Sequence, residues 1–162
     1  MKQYIHLFLA AAMALSLTAC SGGGNEEEFA DFSVQTALED MLAQAPIDDP
    51  LTLTETDMLD FFGIRADSME EFAAVTCANG ISAQEIVLVE AADGEAALTV
   101  VEKLENRLAA RAAEADGYLP DQYAIITECE VKQHGNYVSM IIHPEYEALE
   151  ELYLEYVNGD QK

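Results

Sequence analysis

Ile86-Val87-Leu88-Val89 is the run that most constrains how this 162-residue chain can fold. Four apolar residues in succession leave a strand with no wet face, and such a strand belongs in the middle of a sheet covered on both sides. Whatever surrounds residues 85–91 must supply flanking strands and two layers of cover.

The rest of the chain offers candidates for those layers. Val34, Leu38, Met41 and Leu42 form one stripe of a helix from Ser33 to Ala45, with Thr36 and Glu39 at capping-box spacing and Pro46 beyond its end. Asp48-Asp49-Pro50 reads as a turn, and a short helix follows from Thr56 to Phe62, capped by Thr56 and closed by Gly63. Phe72 to Ala78 is an expected strand, turned by Asn79-Gly80 into the strand Glu85 to Ala91. Asp93 caps the longest helix, Gly94 to Ala115, whose expected buried stripe is Leu98, Val101, Leu104, Leu108 and Ala112. Gly117 ends it, and Tyr118-Leu119-Pro120 redirects the chain through a helical turn at Asp121 to Ala124. Residues 126–142 read as a hairpin. Glu128, Glu130 and Lys132 alternate with Cys129 and Val131 on an edge strand, Gly135-Asn136 turns it, and Tyr137 to Ile142 is a second central strand. Pro144 opens a last helix with Leu149, Leu152, Tyr153 and Tyr156 on one side, stopped at Asn158-Gly159.

These elements predict an α+β fold: a four-stranded antiparallel sheet in ββαββα sequence and order 1-2-4-3, with helices packed on it and an extra N-terminal helix. That helix, or failing it a partner subunit, is the expected cover for the second face.

The N-terminus is of another kind. Residues 4–19 are almost wholly apolar, too short to span a bilayer comfortably, and end in Leu17-Thr18-Ala19-Cys20, a small-residue dipeptide before cysteine. The expected division is a lipoprotein signal peptide at 1–19, a lipidated Cys20 with a flexible acidic tether through residue 28, one α+β domain at 29–158 and a tail at 159–162. Palmitate-type chains on Cys20 would hold the domain at the outer face of the cell membrane, within a root-mean-square distance of ~15 Å. Processing leaves six basic residues against 31 acidic ones, a formal charge of −25. That field disfavours nucleic acid and anionic lipid, and tolerates basic proteins and cations. Cys77 and Cys129, exported, could pair in a disulfide, but two free thiols serving as small buried hydrophobes are the favoured expectation.

With this layout in view, the chain resembles the small lipoproteins of Gram-positive bacteria that carry domain-of-unknown-function family 4358. The resemblance rests on Asp57-Met58-Leu59 through Phe62-Gly63-Ile64, on Ala83-Gln84-Glu85-Ile86 and on the helix Val100 to Leu108. It continues through Tyr118-Leu119-Pro120-Asp121-Gln122-Tyr123 and His134-Gly135-Asn136-Tyr137-Val138. It implies an extracytoplasmic, membrane-anchored α+β domain and supplies no catalytic residues.

Nothing in the residues assembles a reaction. The hairpin register sets His134 opposite Tyr137 and His143 opposite Glu128, too far apart to share a metal, and no third ligand is evident. Ser68, Ser82 and Ser139 lack a nucleophile elbow, and neither cysteine has an identifiable base. Phosphate loops and calcium loops are absent, and carboxylates are too abundant for any pair to signify a glycosidase. No cofactor and no metal are implied. Lys103, Arg107 and Arg111 fall at i, i+4 and i+8 along one helix flank. They form either a docking strip for an acidic partner or a row of cations paired with nearby acids, and the pairing is favoured. Tyr118 and Tyr123, flanking the Pro120 turn, are the remaining candidates for partner contact.

The leading expectation is therefore a non-catalytic interaction or accessory domain of the cell envelope, anchored through Cys20 and meeting an unknown envelope protein. The alternatives are a small ligand-binding lipoprotein for a cation or cationic solute, and an uncharacterised envelope hydrolase.

Overall fold

The computed structural model describes residues 29–161. The expected leader, Cys20 and the tether lie outside the described residues. Within them the order is α1 (Val34–Gln44), β1 (Pro50–Thr52), α2 (Glu55–Phe62), a 3₁₀ turn (Ala66–Ser68), β2 (Met69–Cys77), β3 (Glu85–Ala91), α3 (Gly94–Ala115), α4 (Pro120–Glu128), β4 (Val131–His134), β5 (Tyr137–Ile142) and α5 (Tyr146–Asn158). No helix among them is long and apolar enough to cross a membrane.

The strands form one antiparallel sheet of five, ordered β1-β2-β3-β5-β4. This corrects the expected four-stranded sheet of order 1-2-4-3. The added strand pairs Pro50 with Cys77 and Thr52 with Val75. It escapes a pattern search because it is three residues long, wholly exposed and begins with proline. Proline has no N–H to give and is tolerated at an edge. Asp49, at φ 51°, turns the chain into it.

Both faces of β3 and β5 are buried, and alternation divides their side chains between two cores. Val87, Val89, Val138, Met140 and Ile142 meet Met58 and Phe62 of α2, Val100 and Leu104 of α3, and Ile126 of α4. Ile86, Leu88 and Ile141 meet Val34, Leu38 and Met41 of α1, with Leu149, Tyr153 and Tyr156 of α5. The chain thus covers its own second face with two helices. Each large side chain so buried contributes roughly 1.5–3 kcal/mol.

Helix boundaries follow their caps, not always the expected ones. Ser33 caps α1 by accepting from the Thr36 N–H. Glu71 of β2 reaches the same helix start, accepting from the Val34 N–H at 3.0 Å and the Ser33 hydroxyl at 2.8 Å. Thr54, not Thr56, caps α2, in a reciprocal capping box with Asp57, and Gly63 closes it at φ 69°.

Two further expectations are corrected. On α3 the buried residues are Ala97, Val100, Leu104 and Ala115, while Leu98 is 64% exposed. The helix carries apolar residues on more than one face, and the sheet takes the stripe whose small Ala97 permits close approach. Residues 126–128 are the end of α4 rather than the start of a strand. Pro120 seeds that helix at its first turn, and Ile126, 1% exposed, locks its far end into the core. Glu128 therefore leaves the ladder and does not face His143. Cys129 is the C-cap of α4, not a strand residue.

Candidate functional site

Arg107, on the half-buried flank of α3, finds an anion inside the protein. Its Nε and Nη2 donate to the two carboxylate oxygens of Glu85 at 2.9 and 2.7 Å, a bidentate pair. Glu85 opens β3 and has no exposed surface. The Thr76 hydroxyl of β2 gives it a third hydrogen bond at 3.2 Å. Phe62, at the end of α2, lies over the guanidinium with its ring centroid 5.2 Å from Cζ. The hydrogen bonds that Arg107 donates to the Glu85 carboxylate raise the guanidinium pKa above its ordinary value. Four elements, α2, β2, β3 and α3, are joined at this point.

One turn onward the same helix grips the loop that precedes β3. Arg111 donates from Nη2 to the Ser82 carbonyl at 3.4 Å and from Nη1 to Glu114 at 3.2 Å. Gln122 of α4 accepts the Ala83 N–H at 2.8 Å. Asn79 accepts the N–H groups of Ile81 and Ser82 from the other side, at 2.9 and 3.0 Å. Held at both ends, the loop thrusts Ile81 outward, 68% exposed. Beside it stand Tyr118, 86% exposed, and Pro120, around a shallow cleft of about 210 Å³. Tyr123 lies one turn along α4, also exposed.

The sequence candidates are therefore divided. Arg107 sits in an internal ion pair, and Arg111 braces a loop while remaining partly exposed. Lys103, half-buried, lays its stem by Gly63, where a Cβ would lie 3.9 Å from its Cδ and Cε. Tyr118 and Tyr123 come to one pole of the domain, together with Ile81. Phe62, Glu85 and Gln122 enter the sequence reading only as element bounds or within the segments that carry the family resemblance, and Ile81 not at all; none of the four is a site candidate there. The signal for Glu85 was present: a carboxylate heading a strand buried on both faces must have a cation, and few cations exist here.

The histidines and thiols stand apart from this pole. His143 is buried, accepts the Glu145 N–H on Nδ1 at 3.0 Å, and is held below its ordinary pKa mainly by burial. His134 stacks edge-on against Phe29. Cys77 and Cys129 are free buried thiols donating to the carbonyls of Asp48 and Ile125. Among the described residues no three His, Cys, Asp or Glu side chains gather into a metal-ligating group.

A second depression runs between α3 and the α4–β4 connection. It is a groove of about 500 Å³ with Leu108, Ile126 and Val131 among its lining and Glu105 and Glu130 beside them.

Compared with known proteins, residues 44–143 match the model of a family described as a domain of unknown function (DUF4358). The matched stretch runs from the last residue of α1 through the end of β5, so both helices that cover the second sheet face lie almost wholly outside it. No curated protein and no solved structure matches.

Proposed function

We propose, from the premise that this chain belongs to the DUF4358 family, that it is a lipoprotein of the Gram-positive cell envelope, anchored outside the cytoplasm as a non-catalytic interaction domain. The observation that carries this reading is Leu17-Thr18-Ala19-Cys20 closing an apolar leader. Ser21-Gly22-Gly23-Gly24 after it suits a tether, because glycine leaves the backbone unrestricted.

The placement of the domain's own N-terminus supports an interaction role. The Ala30 N–H donates to the Val157 carbonyl at 2.8 Å, and Phe29 packs at the Gly135 turn. The chain therefore joins the domain at the pole formed by the β4–β5 hairpin and the end of α5. From that pole, where the Ala91 N–H meets the Asn136 carbonyl, the 22 residues of α3 run about 33 Å to the Tyr118 corner. A lipid on Cys20 attaches the domain through the first pole and leaves Ile81, Tyr118 and Tyr123 at the end far from the attachment. Exposed tyrosine beside aliphatic surface is the composition of recognition surfaces.

Labelled palmitate tests the anchor: it is expected in the wild-type chain and absent from Cys20→Ala, and label retained in that variant refutes the lipoprotein reading. A photo-cross-linking residue at Tyr118 in intact cells tests the interaction. A defined adduct is expected there and not from the same residue at Asn158; equal yields from both positions refute a specific surface.

A further inference from the structure

The groove between α3 and the α4–β4 connection has a chemistry that selects its occupant. Its floor is apolar, made by Leu108, Ile126 and Val131. Ala109, exposed on α3, leaves one wall open where a larger residue would close it. The Cys129 thiol beneath is neutral: burial pushes it up to about 11, and it donates to the Ile125 carbonyl at 3.1 Å. The charges lie at the rim. Glu105 is exposed on α3, and Glu130 stands across from it. Glu130 shares Lys132, at 2.6 Å, with Glu150 at 3.5 Å, so two carboxylates divide one ammonium, and with Glu105 across the groove the local balance stays negative.

We infer that this groove is a binding site for a small amphiphilic amine, its apolar body on the Leu108–Ile126–Val131 floor and its ammonium between Glu105 and Glu130. The volume, about 500 Å³, falls within the ~300–1,000 Å³ of small-ligand sites, and a mainly apolar lining with a few placed polar groups is their usual make-up. An anionic ligand of the same shape meets repulsion at the rim, and a bare metal ion gains nothing from the floor.

The test is isothermal titration of the full chain in zwitterionic lipid nanodiscs, with empty discs subtracted. 4-Phenylbutylamine is the probe, and 4-phenylbutyrate is its anionic counterpart. The amine is expected to bind saturably at one site, about tenfold or more tighter than the carboxylate. Ala109→Trp, which fills the open wall, abolishes that binding, whereas Ala43→Trp on the exposed face of α1 leaves it unchanged. Glu105→Gln weakens the amine by roughly two- to fivefold, the size of one surface charge contact. Glu105→Lys, an exposed change that leaves the packing alone, turns the preference toward the carboxylate. Equal binding of the two probes overturns the inference. So does amine binding that survives Ala109→Trp in a folded protein, or that declines equally in the Ala43 variant; these point to adsorption on the acidic surface or to a groove reserved for a protein helix.

Discussion

Arg107→Leu is the perturbation with the sharpest consequence. It strands the Glu85 carboxylate, which has no exposed surface, with the Thr76 hydroxyl at 3.2 Å as its remaining side-chain donor. Breaking one side of a buried ion pair costs about 3–5 kcal/mol, because the surviving charge keeps its desolvation and loses its compensation. The contact with Phe62 goes as well. Against a total stability of about 5–15 kcal/mol, that is a large fraction. In urea, with a slope of about 2 kcal/mol/M, the midpoint is expected to fall by roughly 2 M at unchanged slope. Glu85→Leu is expected to cost less, because the Arg107 side chain is 21% exposed and can swing its head into water. The double variant, Glu85→Leu with Arg107→Leu, should recover to within about 1–2 kcal/mol of wild type, since two apolar groups replace two buried charges. Equilibrium urea unfolding of all four proteins closes the cycle. An Arg107→Leu loss below about 1 kcal/mol, or a double variant as unstable as the sum of the singles, would refute the assignment of this pair as an internal clamp.

Two other outcomes follow from the ionisable groups. Burial, then Asp31, Glu71 and Glu70, raise the Glu90 carboxyl above its ordinary range. The folded chain then holds that proton more readily than the unfolded one, so stability falls as pH climbs from the unfolded value of ~4.3 through the folded one. Glu90→Gln is accordingly expected to raise Tm at pH 7 and to lose that advantage below about pH 4; a lower Tm at neutrality contradicts the sign. Iodoacetamide at about pH 7.5 should leave Cys77 and Cys129 unmodified in the folded protein and alkylate both in denaturant, because the thiols are buried and the Cys129 proton is held up to about 11. Rapid native labelling of Cys129, read by mass spectrometry, rules this out.

How much of this was legible in the sequence depends on the range of the interaction. Val87 and Val89 pointing one way and Ile86 and Leu88 the other is a property of strand geometry, and the doubly buried β3 follows from it without any fold. The α3 N-cap at Asp93 and the αL stop at Gly159 are likewise local. Residues 126–128 read as strand because the period-two alternation of Glu128, Glu130 and Lys132 fits a continuous strand as well as a helix end followed by a short strand. The α3 stripe is ambiguous for a similar reason: Leu98 and Ala97 are both apolar, and only the sheet chooses between them. Strand β1 is visible only beside β2, since three exposed residues carry no pattern of their own. The Glu71 cap on α1 spans 37 residues and has no local trace at all.

The sequence by itself determined the class of elements, the need for cover on both faces of residues 85–91, and the surplus of acid that makes each cation valuable. These are properties of the chain read locally or summed over it, and they hold before any contact forms. The tertiary structure decided which acid each cation meets, which apolar stripe of α3 turns inward, and which residues are left outside at the Tyr118 corner and the α3–α4 groove. Those outcomes depend on distances between residues far apart in the chain, and a buried charge or a bare edge is resolved only when its partner arrives.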